Sequence, residues 1–107
     1  MSQQELEYKV LNWLEKNPYM TQRQLAKELG VSLGKTHYLI NSLIQVGWIK
    51  LDNFRRSDNK IGYMYLLTPT GIAEKANITR HYLVRKQAEY QQLKQEIQRL
   101  KSEIESF

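Results

Sequence analysis

Three short stretches of the chain gather side chains able to hydrogen-bond or ion-pair with a polyanion. Thr21, Gln22 and Arg23 come first, then Ser32, Gly34, Lys35, His37, Tyr38 and Asn41, and finally Arg55, Arg56 and Lys60. Hydroxyls, amides, an imidazole and cations of this kind donate to phosphate oxygens and to the edges of bases, and Gly34 faces outward among them near a helix start. The same inventory is poor for catalysis. There is no Gly-rich phosphate loop and no Ser-His-Asp or Cys-His set, and the carboxylates are scattered over helical faces, so the chain reads as a non-enzyme. The two histidines, His37 and His81, are too isolated for a metal site, and no cofactor is expected. Arg55, Arg56 and Lys60 taken alone would be an ordinary solvated loop tip, and His37 and Tyr38 could be half-buried packing residues. What stands around them decides.

Charge points the same way. The chain of 107 residues carries 16 Lys plus Arg against 11 Asp plus Glu, a net charge of +5. Residues 1–19 are slightly acidic, residues 20–67 hold most of the excess, and residues 68–107 hold the rest. A basic surplus concentrated in one segment is the footprint of a polyanion binder, because cations placed on phosphates release condensed counterions. The size excludes large catalytic folds, and the absence of cysteine excludes disulfides, thiolate metal sites and thiol chemistry. No apolar run approaches the ~20 residues a bilayer requires, and the polar start lacks the pattern of a signal peptide, so a cytoplasmic protein is expected.

The elements that would position these groups can be read from spacing and caps. Leu6, Val10, Trp13 and Leu14 form the stripe of a first helix ending at Asn17-Pro18. Thr21 with Gln24 is a capping-box pattern, Leu25, Ala26 and Leu29 supply an inward face, and Gly30 falls where a left-handed cap belongs. Ser32 caps a third helix running to Gln45 or Val46, with Leu33, Thr36, Ile40, Leu43 and Ile44 as its expected buried stripe. Two helices separated only by Gly30-Val31 make a helix-turn-helix, whose second helix is laid into the major groove. Trp48 to Phe54 and Ile61 to Leu67 read as hairpin strands around the loop Arg55-Arg56-Ser57-Asp58-Asn59-Lys60. Together these predict a winged helix over residues 1–68, with the loop as the wing.

The stretch LAKELGVSLGKTHYLINSLIQVGWI, Leu25 to Ile49, resembles the helix-turn-helix of MarR-type winged-helix regulators, with the short turn, the Val-Ser helix start and the closing Gly-Trp-Ile. Extended through the wing, the Leu-Leu-Thr-Pro-Thr-Gly junction and a charged C-terminal helix, it is similar to the small MarR-family regulators associated with exopolysaccharide gene clusters. That resemblance covers residues 10 to about 100 and implies bacterial transcriptional regulation near polysaccharide biosynthesis genes. The helices that frame the dimer interface and ligand pocket of larger MarR regulators have no counterpart here, and no small-molecule effector is indicated.

Residues 69–107 make a second argument. Thr68-Pro69 is a cap followed by an N1 proline, and no Pro or Gly follows Gly71. A continuous helix to Phe107 could not be buried on so small a head. Leu83, Tyr90, Ile97 and Ile104 at a positions, with Lys86, Leu93, Leu100 and Phe107 at d, form a heptad seam flawed only at Lys86. Glu89 and Glu96 at g would meet Lys94 and Lys101 at e of a parallel partner, whereas antiparallel pairing would oppose like charges. The expected fold is therefore mainly α with a small β-hairpin, a winged helix-turn-helix followed by a long helix forming a parallel dimeric coiled coil. The expected function is a homodimeric, sequence-specific DNA-binding regulator, a repressor, acting on an inverted repeat. The alternative is a winged-helix and coiled-coil adaptor that binds proteins and no DNA.

Overall fold

The computed structural model describes residues 2–107. In chain order the elements are α1 (Gln3–Lys16), α2 (Gln22–Leu29), α3 (Leu33–Gln45), β1 (Ile49–Arg55), β2 (Ile61–Leu67) and α4 (Pro69–Glu105). Each helix starts at a hydroxyl that satisfies an otherwise orphaned backbone amide. Ser2, Thr21, Ser32 and Thr68 accept from the amides of Glu5, Gln24, Lys35 and Gly71. At Thr21 the capping box is complete, since the Gln24 side chain accepts in return from the Thr21 amide at 2.9 Å. Gly30 ends α2 in the left-handed region at φ 70°, and α3 follows after Val31 and Ser32.

The buried face of α3 is Thr36, Leu39, Ile40 and Leu43. This corrects the expected stripe at three places. Leu33 is 43% exposed because the first turn of α3 runs past the edge of the domain, and Ile44 only packs against the core from its margin, while Leu39 takes the central place. Thr36 is fully buried, and its hydroxyl donates to the Ser32 carbonyl at 3.0 Å, which removes the cost of an unpaired polar atom. In α1, Leu11 joins Leu6, Val10 and Leu14 inside, and the bulky Trp13 remains partly exposed at the edge of the core. Met20, Leu25, Leu29, Ile49 and Ile78 complete the cluster.

The hairpin is antiparallel, with Ile49 opposite Leu67 and Arg55 opposite Ile61. Two boundaries differ from expectation. Trp48 lies outside the ladder, its carbonyl accepting from the Thr68 amide at 3.0 Å, and Arg55 is the last residue of β1, with the turn proper starting at Arg56. The turn closes through the Arg56 amide on the Lys60 carbonyl, with Asn59 at φ 63°. The root of the wing is tied to the α1–α2 connection, where the Tyr65 amide donates to the Pro18 carbonyl at 2.9 Å.

α4 runs unbroken for 37 residues, about 55 Å at 1.5 Å per residue. Its start lies hard against the hairpin: a Cβ on Gly71 would sit 1.9 Å from the Trp48 carbonyl oxygen, so only glycine allows the approach. Further along, Ile78 enters the core, Tyr82 stacks on Tyr8 with ring centroids 4.9 Å apart, and Lys75 pairs with Glu15 at 2.9 Å. Arg85 is the last anchor, donating to the Ser2 hydroxyl and the Gln4 side chain and lying 3.8 Å from the Glu5 carboxylate. From Lys86 to Phe107 every residue is exposed, which stretches the molecule to 70 Å in its longest dimension.

Candidate nucleic-acid interface

The two helices of the helix-turn-helix present one continuous polar surface. On α3, Gly34, Lys35, His37, Tyr38 and Asn41 are all exposed, as the alternation with the buried stripe requires. The Ser32 hydroxyl is committed as acceptor to the Lys35 amide at 3.0 Å but keeps its own proton for an incoming phosphate oxygen. The free amides of the α3 start add the positive end of the helix dipole there. Lys35 lies 5.7 Å from the centre of the Tyr38 ring, so the cation is held over the first turn and not left to wander. Gly34 has no steric reason to be glycine, since a Cβ would meet only the Ser32 hydroxyl, at 4.0 Å.

On α2, Thr21 and Arg23 are exposed and Gln22 is half-buried. Gln22 is not a free donor. Its amide nitrogen donates to the Tyr65 hydroxyl at 3.0 Å and its oxygen lies 3.0 Å from Nδ1 of His37, whose Nε2 lies 2.9 Å from the Asn41 amide nitrogen. The structure thus links β2, α2 and α3 through four side chains on the face expected to meet DNA. Tyr65 was not legible as a member: it lies 43 residues from Gln22, and a tyrosine in a strand announces only a half-buried ring. Leu33 was missed for the opposite reason, because its place on the stripe reads as core although it stands exposed beside Lys35.

The wing carries its cations outward. Arg55 donates to the Asn59 side chain at 3.1 Å, Arg56 lies 3.4 Å from the Asp58 carboxylate, and Lys60 has no acidic partner among the described residues. Arg23 and Lys35 likewise make no ion pair among the described residues. Beneath the wing, Tyr19 meets Phe54 edge to face at 4.9 Å, bracing β1 against the α1–α2 connection. Arg56 of the wing lines one surface cleft with Thr21 and Gln22 at the start of α2, and Gln22 is bonded to His37, so wing and α2 adjoin the α3 face. No cluster of potential metal ligands occurs among the described residues, and no described helix is long and apolar enough to cross a membrane.

The expected dimer seam lies on the projecting part of α4. Leu83, Tyr90, Leu93, Ile97, Leu100 and Ile104 are between 45% and 73% exposed, and Phe107 follows the Ser106 cap just beyond the helix end. Lys86 interrupts this stripe as a cation. Its hydrogen bond to the Glu89 carboxylate, at 3.0 Å, raises its pKa above the ordinary lysine value, and it lies 5.3 Å from the Tyr82 ring centre.

Comparison with known proteins agrees with this geometry. Residues 3–50 match the family model described as winged helix-turn-helix DNA-binding. No curated protein matches the chain in sequence. Among solved structures, the adhesin competence repressor AdcR of Streptococcus pyogenes aligns at TM-score 0.63 and 20% identity, over 84% of this chain and 65% of that one. A MepR variant of S. aureus aligns at 0.62 and 18%, over 97% and 80%. ZitR of Lactococcus lactis, solved in complex with DNA, aligns at 0.59 and 18%, over 82% and 57%. The chain thus spans less than two thirds of the AdcR and ZitR chains. A Zn(II)-bound AdcR among the neighbours is described as a zinc-dependent MarR family transcriptional regulator. The chain accordingly has a winged helix-turn-helix fold, matched over residues 3–50 by a DNA-binding family model and similar to the fold of a zinc-dependent MarR family transcriptional regulator.

Proposed function

We propose that the protein is a sequence-specific DNA-binding transcriptional regulator, a repressor, that acts as a homodimer joined through the projecting half of α4. The observation that carries the DNA reading is the exposed face of α3, where Gly34, Lys35, His37, Tyr38 and Asn41 stand together, bordered by cations of α2 and the wing. Lys35, His37, Tyr38 and Asn41 would meet base edges or sugars, with Ser32 and the α3 amides on a phosphate. Thr21 and Arg23 would bond phosphates from α2, and Arg55, Arg56 and Lys60 would hold the flank through the wing. Gln22 enters this scheme through its neighbours, its amide already engaged.

The exposed apolar stripe from Leu83 to Ile104 supports self-association, because a ridge of that length is covered in a stable soluble protein. Two-fold symmetry then requires an inverted repeat with half-sites about one helical turn apart, 10 to 10.5 bp. We divide the chain into a DNA-binding unit, residues 1–68, and a dimerisation helix, residues 69–107, the first turns of which also brace the head. Work inside the cytoplasm follows from the DNA reading. The resemblance to exopolysaccharide-associated regulators makes promoters of polysaccharide biosynthesis genes the first to test, and occupancy of a promoter would repress it.

Selection of bound duplexes from a random pool is the deciding experiment. Recovery of an inverted repeat, with affinity falling steeply between 50 and 200 mM salt, supports the proposal. Recovery of no sequence, with no binding at either salt concentration, rejects it in favour of a protein-binding adaptor.

A further inference from the structure

We infer that Asn41 reads an adenine in each half-site, and that Gln22 and Tyr65 are positioning residues that fix the amide of Asn41 in the orientation this requires. The inference rests on the DNA-binding reading above and assigns its base preference. It follows from the direction of three hydrogen bonds. Gln22 turns its Nε2 to the Tyr65 hydroxyl, so the group it presents to His37 is its carbonyl oxygen, an acceptor only. Nδ1 of His37 must then carry the proton and donate. A neutral imidazole protonated at Nδ1 has a bare Nε2, which accepts from the Asn41 amide nitrogen at 2.9 Å. All three bonds run in the same sense, from Asn41 through His37 and Gln22 to Tyr65, so each strengthens the next. The far end is anchored by the main chain, because the Tyr65 amide donates to the Pro18 carbonyl.

The near end is an exposed amide with one N–H occupied. Asn41 keeps its Oδ1 and its second N–H for a ligand, an acceptor beside a donor on one planar group. In the major groove adenine offers the complement, the N6 donor and the N7 acceptor, whereas guanine offers two acceptors and leaves Oδ1 opposed to O6. If the imidazole were free to turn or to exchange its proton between nitrogens, Asn41 could flip and present its N–H groups outward, and the distinction between adenine and guanine would fade. Gln22 prevents this from α2, and Tyr65 holds Gln22 from the wing strand. Base choice by α3 is thereby set partly by residues that need not touch a base.

The test uses the full chain as wild type, N41A, Q22L and Y65F, with the selected duplex and a series in which each base pair is replaced in turn. N41A is expected to lose about tenfold to a hundredfold of discrimination at one A·T pair per half-site, the size of a good bidentate contact. Q22L loses most of that discrimination at the same pair and at no other, and Y65F loses about threefold, while Y65F keeps wild-type affinity for unrelated duplex and all three variants still melt cooperatively. In the free protein, imidazole nitrogen NMR should find His37 protonated at Nδ1 in the wild type and shared between nitrogens in Q22L. Wild-type discrimination in Q22L overturns the inference, as does a loss spread evenly over all positions or a proton found on Nε2. Should the wild type bind no duplex at all, the adenine assignment falls with the DNA reading, and the imidazole spectrum separately reports whether the side-chain relay exists.

Discussion

At the level of single residues, the recognition face separates side chains that hold the fold from those that do not. Thr36 and Leu39 are spent inward, whereas Gly34 is spent on nothing the fold needs, since a methyl group there would stand in open space. Its α-helical position favours alanine, so G34A should stabilise the protein by about 0.5 kcal/mol through reduced unfolded-state entropy. If the start of α3 lies against a phosphate, the same methyl group obstructs the approach, and affinity for the selected duplex should fall by about tenfold, roughly 1.4 kcal/mol. Paired melting and anisotropy measurements check this, and a variant that is both more stable and equally tight would remove α3's first turn from the interface. The residues of this face were legible in the sequence as a set, because the 3.6-residue period puts them opposite a buried stripe. Their mutual bonds were not, because Gln22, His37 and Tyr65 meet only after three elements have packed.

Among the elements, those whose ends carry chemical punctuation were legible to within a residue. Thr21, Ser32 and Thr68 cap their helices and Gly30 closes one, each through a local backbone requirement that the sequence states openly. Leu33, Leu39 and Trp13 were harder, because which edge of an apolar stripe is covered depends on the neighbouring elements and not on the period. Gly71 shows the same dependence: nothing in its surroundings in sequence reveals that it touches the Trp48 carbonyl. G71A must displace either the hairpin root or the start of α4, and a loss of about 2–3 kcal/mol is expected, read as a lower urea midpoint. The orientation of the α4 pair is separately testable, because the protein has no cysteine of its own. A parallel seam sets each a position beside itself, so I104C should form a symmetric disulfide under mild oxidation. An L83C and I104C mixture that cross-links only between unlike residues would instead establish antiparallel pairing.

For the whole molecule, the physical question is how a small basic head acquires useful affinity. In the proposed complex one head would set Arg23, Arg55, Arg56 and Lys60 on phosphates, and the Arg56–Asp58 pair already neutralises part of the wing. In the proposed dimer, two heads on one α4 pair would double the counterions released and make the second head's binding intramolecular. With four such cations from each protomer on phosphates, the logarithm of affinity should fall against the logarithm of salt with a slope of about −7. A full-length variant with charges in the seam, L93D with L100D, alters only exposed positions of the projecting helix, so the head should stay folded. That variant should sediment as a monomer, bind a single half-site with a slope of about −4, and lose most of its preference for the inverted repeat over an isolated half-site. An unchanged slope with a monomeric sedimentation coefficient would mean that the two heads assemble on DNA without α4, and would return the exposed stripe to the search for another partner.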